Sequence, residues 1–350
     1  MVRGTRTATA AERPDRTPEP GPEPPRPESR PAPPEDGAAA SPHRAQRRAP
    51  RRAPRRTLRR PRALAAALAT AVLPLALALG PGTGATPARA AAHTATAVTK
   101  HAAAAPLCVS SSHPALAARL SSALRAAMAG RTDSIAFSVN DARTRTTCGY
   151  RTSAHYDSAS VVKATIMGAV LRRALDRHRH LTSSEVSLLT RMITHSDNNA
   201  ATALWNSLGR SRMQSFLNLA GLTQTTLGRG GYWGLTRITA RDEMRLLTLY
   251  AEPNPVLSER SRAYGLKLMH EVVASQRWGT PYGTPKGVTW HVKNGWLPRS
   301  TRGWRVHSLG VFTGSGRDYR MAVLTDDNPS MSYGITTIQR IALAVHHAVG

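Results

Sequence analysis

The sequence predicts a three-layer α/β domain of the α+β kind, in which one antiparallel sheet of about five strands is built from both ends of the folded region and a helical lobe is inserted between them. Two strand-like segments come early, Ser134 to Val139 and Thr146 to Arg151, with a turn at Asn140-Asp141-Ala142-Arg143. Three more come late, Val288 to Lys293, Val306 to Thr313 and Arg320 to Leu324. The stretch between them repeats its apolar residues at helical spacing, so a single sheet must close around a helical insert.

The helices follow in order. Leu116, Leu120, Leu124 and Met128 recur every four residues and mark a helix from His113 to Met128, stopped by Gly130. Ser160 to Leu175 is the most apolar helical stretch of the mature chain. Ser196 to Leu208 and Ser211 to Leu219 each open on a serine suited to capping. Thr239 to Tyr250 and Val256 to His270 continue the block, and a last helix runs from about Tyr333 to Ala348. No internal repeat is visible.

The folded domain is expected over residues 108–350. Residues 1–62 carry 16 Arg against 7 acidic residues among many Pro and Ala, a composition that cannot bury a core. Residues 63–90 read as a signal peptide: an apolar run from Ala63 to Leu79 behind Arg59, Arg60 and Arg62, interrupted by Pro74 and followed by Ala88-Arg89-Ala90. Cleavage after Ala90 and secretion are expected, with a membrane anchor formed by an uncleaved Ala63 to Leu79 as the alternative. Residues 91–107 form an Ala- and Thr-rich linker.

The chain's formal charge of +27 suggests an anionic partner, and a basic surplus persists beyond the leader. Nucleic acid is not expected, because aromatic content is 5% and no nucleic-acid module is recognisable. For an exported protein an anionic cell wall is the fitting polymer. A monomer is expected. Cys108 and Cys148 are the only cysteines, and export favours a disulfide between them, two separate buried thiols being the other reading. His178-Arg179-His180 lacks the companions of a zinc site, so no metal is expected there. His195 and His291 flank the candidate site described next.

Ser160-Val161-Val162-Lys163 sets a hydroxyl and an amine three residues apart at a helix start, on neighbouring positions of one face. By itself the pattern is common. It gains weight from Ser196-Asp197-Asn198 downstream and from Lys293-Asn294-Gly295 at the end of a predicted strand. In this order the three elements resemble the serine-lysine, S-D-N and K-T-G signatures of class A β-lactamases and their penicillin-binding relatives. Ala159, the helical run Asn198-Asn199-Ala200-Ala201 and the helix start Arg241-Asp242-Glu243-Met244 fit the same pattern. The resemblance extends from Cys108 to the C-terminus and implies a β-lactamase/transpeptidase-like fold.

It implies roles as well. Ser160 is the expected nucleophile, Lys163 the amine that takes its proton, and Ser196 the hydroxyl that passes a proton to the leaving nitrogen. Asn198, Lys293, Asn294 and Gly295 are the expected substrate-binding residues. The backbone N–H groups of Ser160 and Trp296 are the expected oxyanion hole. The expected substrate is a β-lactam or a peptidoglycan stem peptide of D-Ala type, and no cofactor is implied.

Three departures stand out. Ser160 and Ser196 are only 36 positions apart, Asn294 stands where Thr or Ser is usual, and Gly228 to Thr239 holds no acidic residue where an omega-loop glutamate would activate water. The last favours a D-alanyl-D-alanine carboxypeptidase or penicillin-binding protein with slow deacylation as the second reading. A catalytically idle wall-binding protein is the third. Asp242 and Glu243 are expected as first-turn acids that complement a helix dipole.

Overall fold

A computed structural model describes residues 105–349. The leader, the apolar run with its cleavage site, and the linker up to residue 104 lie outside the described residues.

The sheet has six strands, one more than expected. They are β1 (Cys108–Ser110), β2 (Ser134–Asp141), β3 (Thr146–Tyr150), β6 (Thr289–Pro298), β7 (Trp304–Gly314) and β8 (Arg317–Asn328), in the order β1-β3-β2-β8-β7-β6. All neighbours are antiparallel. The sixth strand is β1, three residues long, and its exposed Val109 gives no apolar alternation to read. A small separate pair joins β4 (Tyr156–Asp157) to β5 (Arg237–Ile238).

Strand periodicity of two assigns the faces. On one face, Phe137, Val139, Phe312, Tyr319, Met321 and Val323 form a core with Leu120 and Leu124 of α1 (Pro114–Met128) and Ile338, Ile341 and Val345 of α7 (Met331–Val349). On the other, Ala136, Leu309, Val311, Ala322 and Leu324 meet the helical lobe. The lobe comprises α2 (Val162–Asp176), α3 (Ser183–Thr194), α4 (Asn198–Ala220), α5 (Ala240–Ala251) and α6 (Glu259–His270). Every residue of α2 from Val162 to Leu171 is buried, which accounts for its apolar sequence.

Four local features differ from expectation. Helix α3 was not anticipated, although Thr182 and Glu185 form a complete capping box ahead of its apolar stripe. Helix α4 begins at Asn198 and not at Ser196, because Ser196 takes a left-handed φ of 56° and Asp197 becomes the cap, accepting from the Ala200 amide. The two helices expected from Ser196 to Leu219 run on as this one span, broken at Gly209 (φ 70°, ψ 159°). The β2–β3 turn falls at residues 142–145, since Asp141 still pairs with Thr146 and its carboxylate accepts from the Arg143 amide and the Thr144 hydroxyl.

Cys108 and Cys148 face each other across β1 and β3 and are joined as a disulfide. Opening a loop of this length releases chain entropy in the unfolded state. The double variant Cys108→Ala/Cys148→Ala is therefore expected to lose about 3–4 kcal/mol of unfolding free energy. Urea denaturation beside the oxidised parent measures this; a loss below about 1 kcal/mol would mean that the bridge does little to hold β1.

Candidate active site

The site forms where three chain segments meet: the turn before α2, the α3–α4 junction, and β6. Residues Ala159–Val161 make a single 3-10 turn that runs directly into α2, with Ala159 in the left-handed region (φ 47°). Lys163 lies one turn further on, and its Nζ is 3.0 Å from Ser160 Oγ. At the α3–α4 junction the left-handed Ser196 offers both its carbonyl and its hydroxyl to the same amine, at 2.6 and 3.1 Å. Asn198 Oδ1 is 2.7 Å from it. From β6, Lys293 Nζ donates to Ser196 Oγ at 3.1 Å and to the carbonyl of Asn294 at 2.8 Å.

Both amines are buried, and burial penalises their charged forms. Burial brings Lys163 down to about 7, against the opposing pull of Asp197. Lys293 is held well below the ordinary lysine value by its burial and by Lys163 nearby. A neutral Lys163 has two N–H bonds and one lone pair. The two shortest contacts, to Ser196 O and Asn198 Oδ1, take the two N–H bonds. The lone pair is then left for the Ser160 hydroxyl. Ser196 Oγ in turn accepts from Lys293, so its own O–H remains available to a third group.

Gly295 fixes how closely β6 approaches this turn. A Cβ there would lie 2.7 Å from the Val161 nitrogen and 2.8 Å from that of Ser160, so only glycine lets the strand sit against the turn's amides. Its neighbour Trp296 pairs with Val306 on β7 and stacks edge-on against Trp278, 5.9 Å between ring centres.

Residues 178–349 match the family model described as the Beta-lactamase enzyme family. The described domain has a β-lactamase-like fold. The chain is similar in fold to a β-lactamase from Sphaerobacter thermophilus, with 20% identity, a TM-score of 0.58, and 66% of this chain and 96% of that one covered. A β lactamase from Xanthomonas campestris aligns with 18% identity and a TM-score of 0.58, over 67% of this chain and 99% of that one. A putative class A β-lactamase from Rhodopseudomonas palustris gives 20% identity and a TM-score of 0.58, over 65% and 99%. At such identities these likenesses establish the fold. No curated protein matches the chain.

Some residues of this β-lactamase-like domain are placed differently from the sequence expectation. Asn294 is buried, and its Nδ2 donates to the carbonyls of Gln276 and Trp278 at 2.8 Å each. Its amide therefore anchors the segment before β6, on the strand face opposite Lys293. Asp242 and Glu243 do lie in the first turn of α5, but both are buried. Asp242 accepts from the Gln224 amide and the Thr225 hydroxyl. Glu243 Oε2 is buried without a partner.

The histidines have structural bonds. His291 Nδ1 contacts the Leu266 carbonyl at 2.7 Å, and His195 Nδ1 contacts the Thr194 hydroxyl at 2.8 Å. Sequence reasoning missed Trp233, whose ring centre is 4.9 Å from Lys163 Nζ. Its only signal was a large aromatic residue in a glycine-rich, acid-free loop.

Glu243 supplies a test of this burial. Desolvation, with Asp242 beside it, pushes its carboxyl up to about 8 from the usual 4.5. The folded state thus keeps a proton that the unfolded chain releases. The stability linked to Glu243 is complete below about pH 4.5 and is lost as pH rises toward 8. Glu243→Met removes that loss, so the variant is expected to gain on the parent by on the order of 3 kcal/mol between pH 5 and 8 in urea denaturation. A difference that does not change with pH would mean that the carboxyl is ionised in the fold.

Proposed function

We propose that this chain is an exported serine hydrolase that forms an acyl-enzyme through Ser160 on a β-lactam or a related D-Ala-type amide. The observation that carries the proposal is the placement of Lys163 Nζ 3.0 Å from Ser160 Oγ, with its two shortest contacts to Ser196 O and Asn198 Oδ1, an arrangement in which the neutral amine spends both N–H bonds on those oxygens and turns its lone pair to the Ser160 hydroxyl. Ser160 Oγ attacks the amide carbonyl while its proton passes to Lys163. The N–H groups of Ser160 and Trp296 receive the developing oxyanion. Collapse of the tetrahedral intermediate breaks the carbonyl–nitrogen bond, and the Ser196 hydroxyl delivers a proton to the leaving nitrogen while Lys163, 3.1 Å from Ser196 Oγ, passes the Ser160 proton on to it.

Lys293 binds the substrate carboxylate. Burial disfavours the charged form of this amine, and an arriving carboxylate favours it again, so substrate and proton bind Lys293 together. Asn198 is exposed at the start of α4 and both fixes Lys163 and orients the substrate side chain. Gly295 keeps the cleft narrow. The Cys108–Cys148 bridge and the apolar run from Ala63 to Leu79 ahead of Ala88-Arg89-Ala90 support export. The basic surplus suits residence near an anionic cell wall.

A second reading, a penicillin-binding D,D-peptidase with slow deacylation, is favoured by one observation: Gly228 to Thr239 offers no carboxylate.

Incubation of the protein with benzylpenicillin, followed by intact mass, tests the proposal. The parent is expected to gain one whole drug molecule and Ser160→Ala none. The acylation rate is expected to rise with pH through a midpoint near 7, as Lys163 loses its proton. Lys163→Ala should slow acylation by roughly 10²–10⁴-fold. An adduct retained by Ser160→Ala would overturn the nucleophile, and a flat profile from pH 5.5 to 8.5 would overturn Lys163 as the base.

A further inference from the structure

Hydrolysis of an acyl-serine ester needs a water molecule held beside a proton acceptor. The Lys163 amine is already closely surrounded. Lys163 is fully buried, its polar contacts are Ser160, Ser196 and Asn198, and the indole of Trp233 lies over its amine. Trp233 is firmly placed. Its Nε1–H donates to Thr202 Oγ1 on α4 at 3.1 Å, and the Ser158 hydroxyl lies within 3.4 Å of its carbonyl.

The loop that carries Trp233 is closed at its base, where Thr226 and Arg237 exchange both backbone hydrogen bonds, at 2.9 and 2.8 Å. It is drawn tight at Gly228, where a Cβ would sit 2.1 Å from the Tyr232 carbonyl oxygen. An indole has no acceptor to offer water, and its single donor is already committed. Asp197, the acid whose charge reaches Lys163, is engaged in capping α4.

We propose that Trp233 sets the lifetime of the acyl-enzyme, acting as a positioning residue that denies water a held place beside Lys163 and so preserves the Ser160 ester. The inference rests on Ser160 acylation as proposed above. It assigns the slow step to a side chain that is present, in addition to a glutamate that is absent. Removing the ring admits water to the amine, so the same change should also move the pH midpoint of acylation upward, toward the ordinary lysine range. A ring that merely packed would not produce that pairing of effects.

The test uses the intact disulfide-bonded protein and benzylpenicillin, with adduct decay followed by intact mass and acylation followed across pH. Trp233→Ala is expected to shorten the adduct's lifetime at least tenfold and to raise the acylation midpoint, and Trp233→Glu to shorten the lifetime further. Trp233→Phe should stay within about threefold of the parent. If Trp233→Ala does not fold, Thr202→Val frees the indole N–H without removing the ring and is expected to shorten the lifetime by a smaller factor.

Lifetimes unchanged in Trp233→Ala and Trp233→Glu that still acylate and melt as the parent does would overturn the inference. So would rapid turnover by the parent itself, with Ser160 acylation still standing. No adduct on the parent at all would instead sink the acyl-enzyme reading, and this inference with it.

Discussion

Desolvation of the Lys163 amine is the constraint around which the described domain is arranged. An ammonium in that position would meet four oxygen contacts with three N–H bonds, at the cost of leaving water entirely. The neutral form needs fewer partners and keeps a lone pair. Burial of the first three turns of α2, the left-handed backbone of Ser196, and the close approach of β6 at Gly295 all serve to hold that one nitrogen dry and surrounded. Each has a local cost, in an unfavourable φ or in the loss of any side chain at a position. Such costs concentrate where geometry is held for chemistry.

How much of this could be read from residues alone depended on whether the signal was periodic or relational. The long strands and the amphipathic helices declared themselves through periods of 2 and 3.6, and the faces that those periods assign are the two faces that carry the cores. β1 escaped because three residues cannot show a period, and its partner is set by a cysteine pair distant in sequence. α3 left a local mark in Thr182 and Glu185 that outweighs the polar residues around it. In the site, the order of Ser160, Lys163, Ser196 and Lys293 was legible because the pattern is spaced along the chain.

What was not legible is the direction in which side chains point once strands and helices are fixed. Asn294 falls on the far face of β6 from Lys293 and spends its amide on loop carbonyls. Glu243 turns inward where a first-turn acid ordinarily stays wet. Trp233 reaches Lys163 only because its loop closes on the Thr226–Arg237 bridge and its indole finds Thr202 on a different helix. These are consequences of tertiary placement, and no window of sequence holds them.

The order of the sheet has a bearing on how disturbances travel. The chain enters the domain at β1, on one margin of the sheet, and the strand that lines the site, β6, is the opposite margin. At the usual spacing between strands the two margins are separated by about 24 Å. β1 and its disulfide thus lie at the margin remote from the cleft. Within the sheet, a disturbance at β1 or at its disulfide therefore reaches the cleft only through the four strands that lie between.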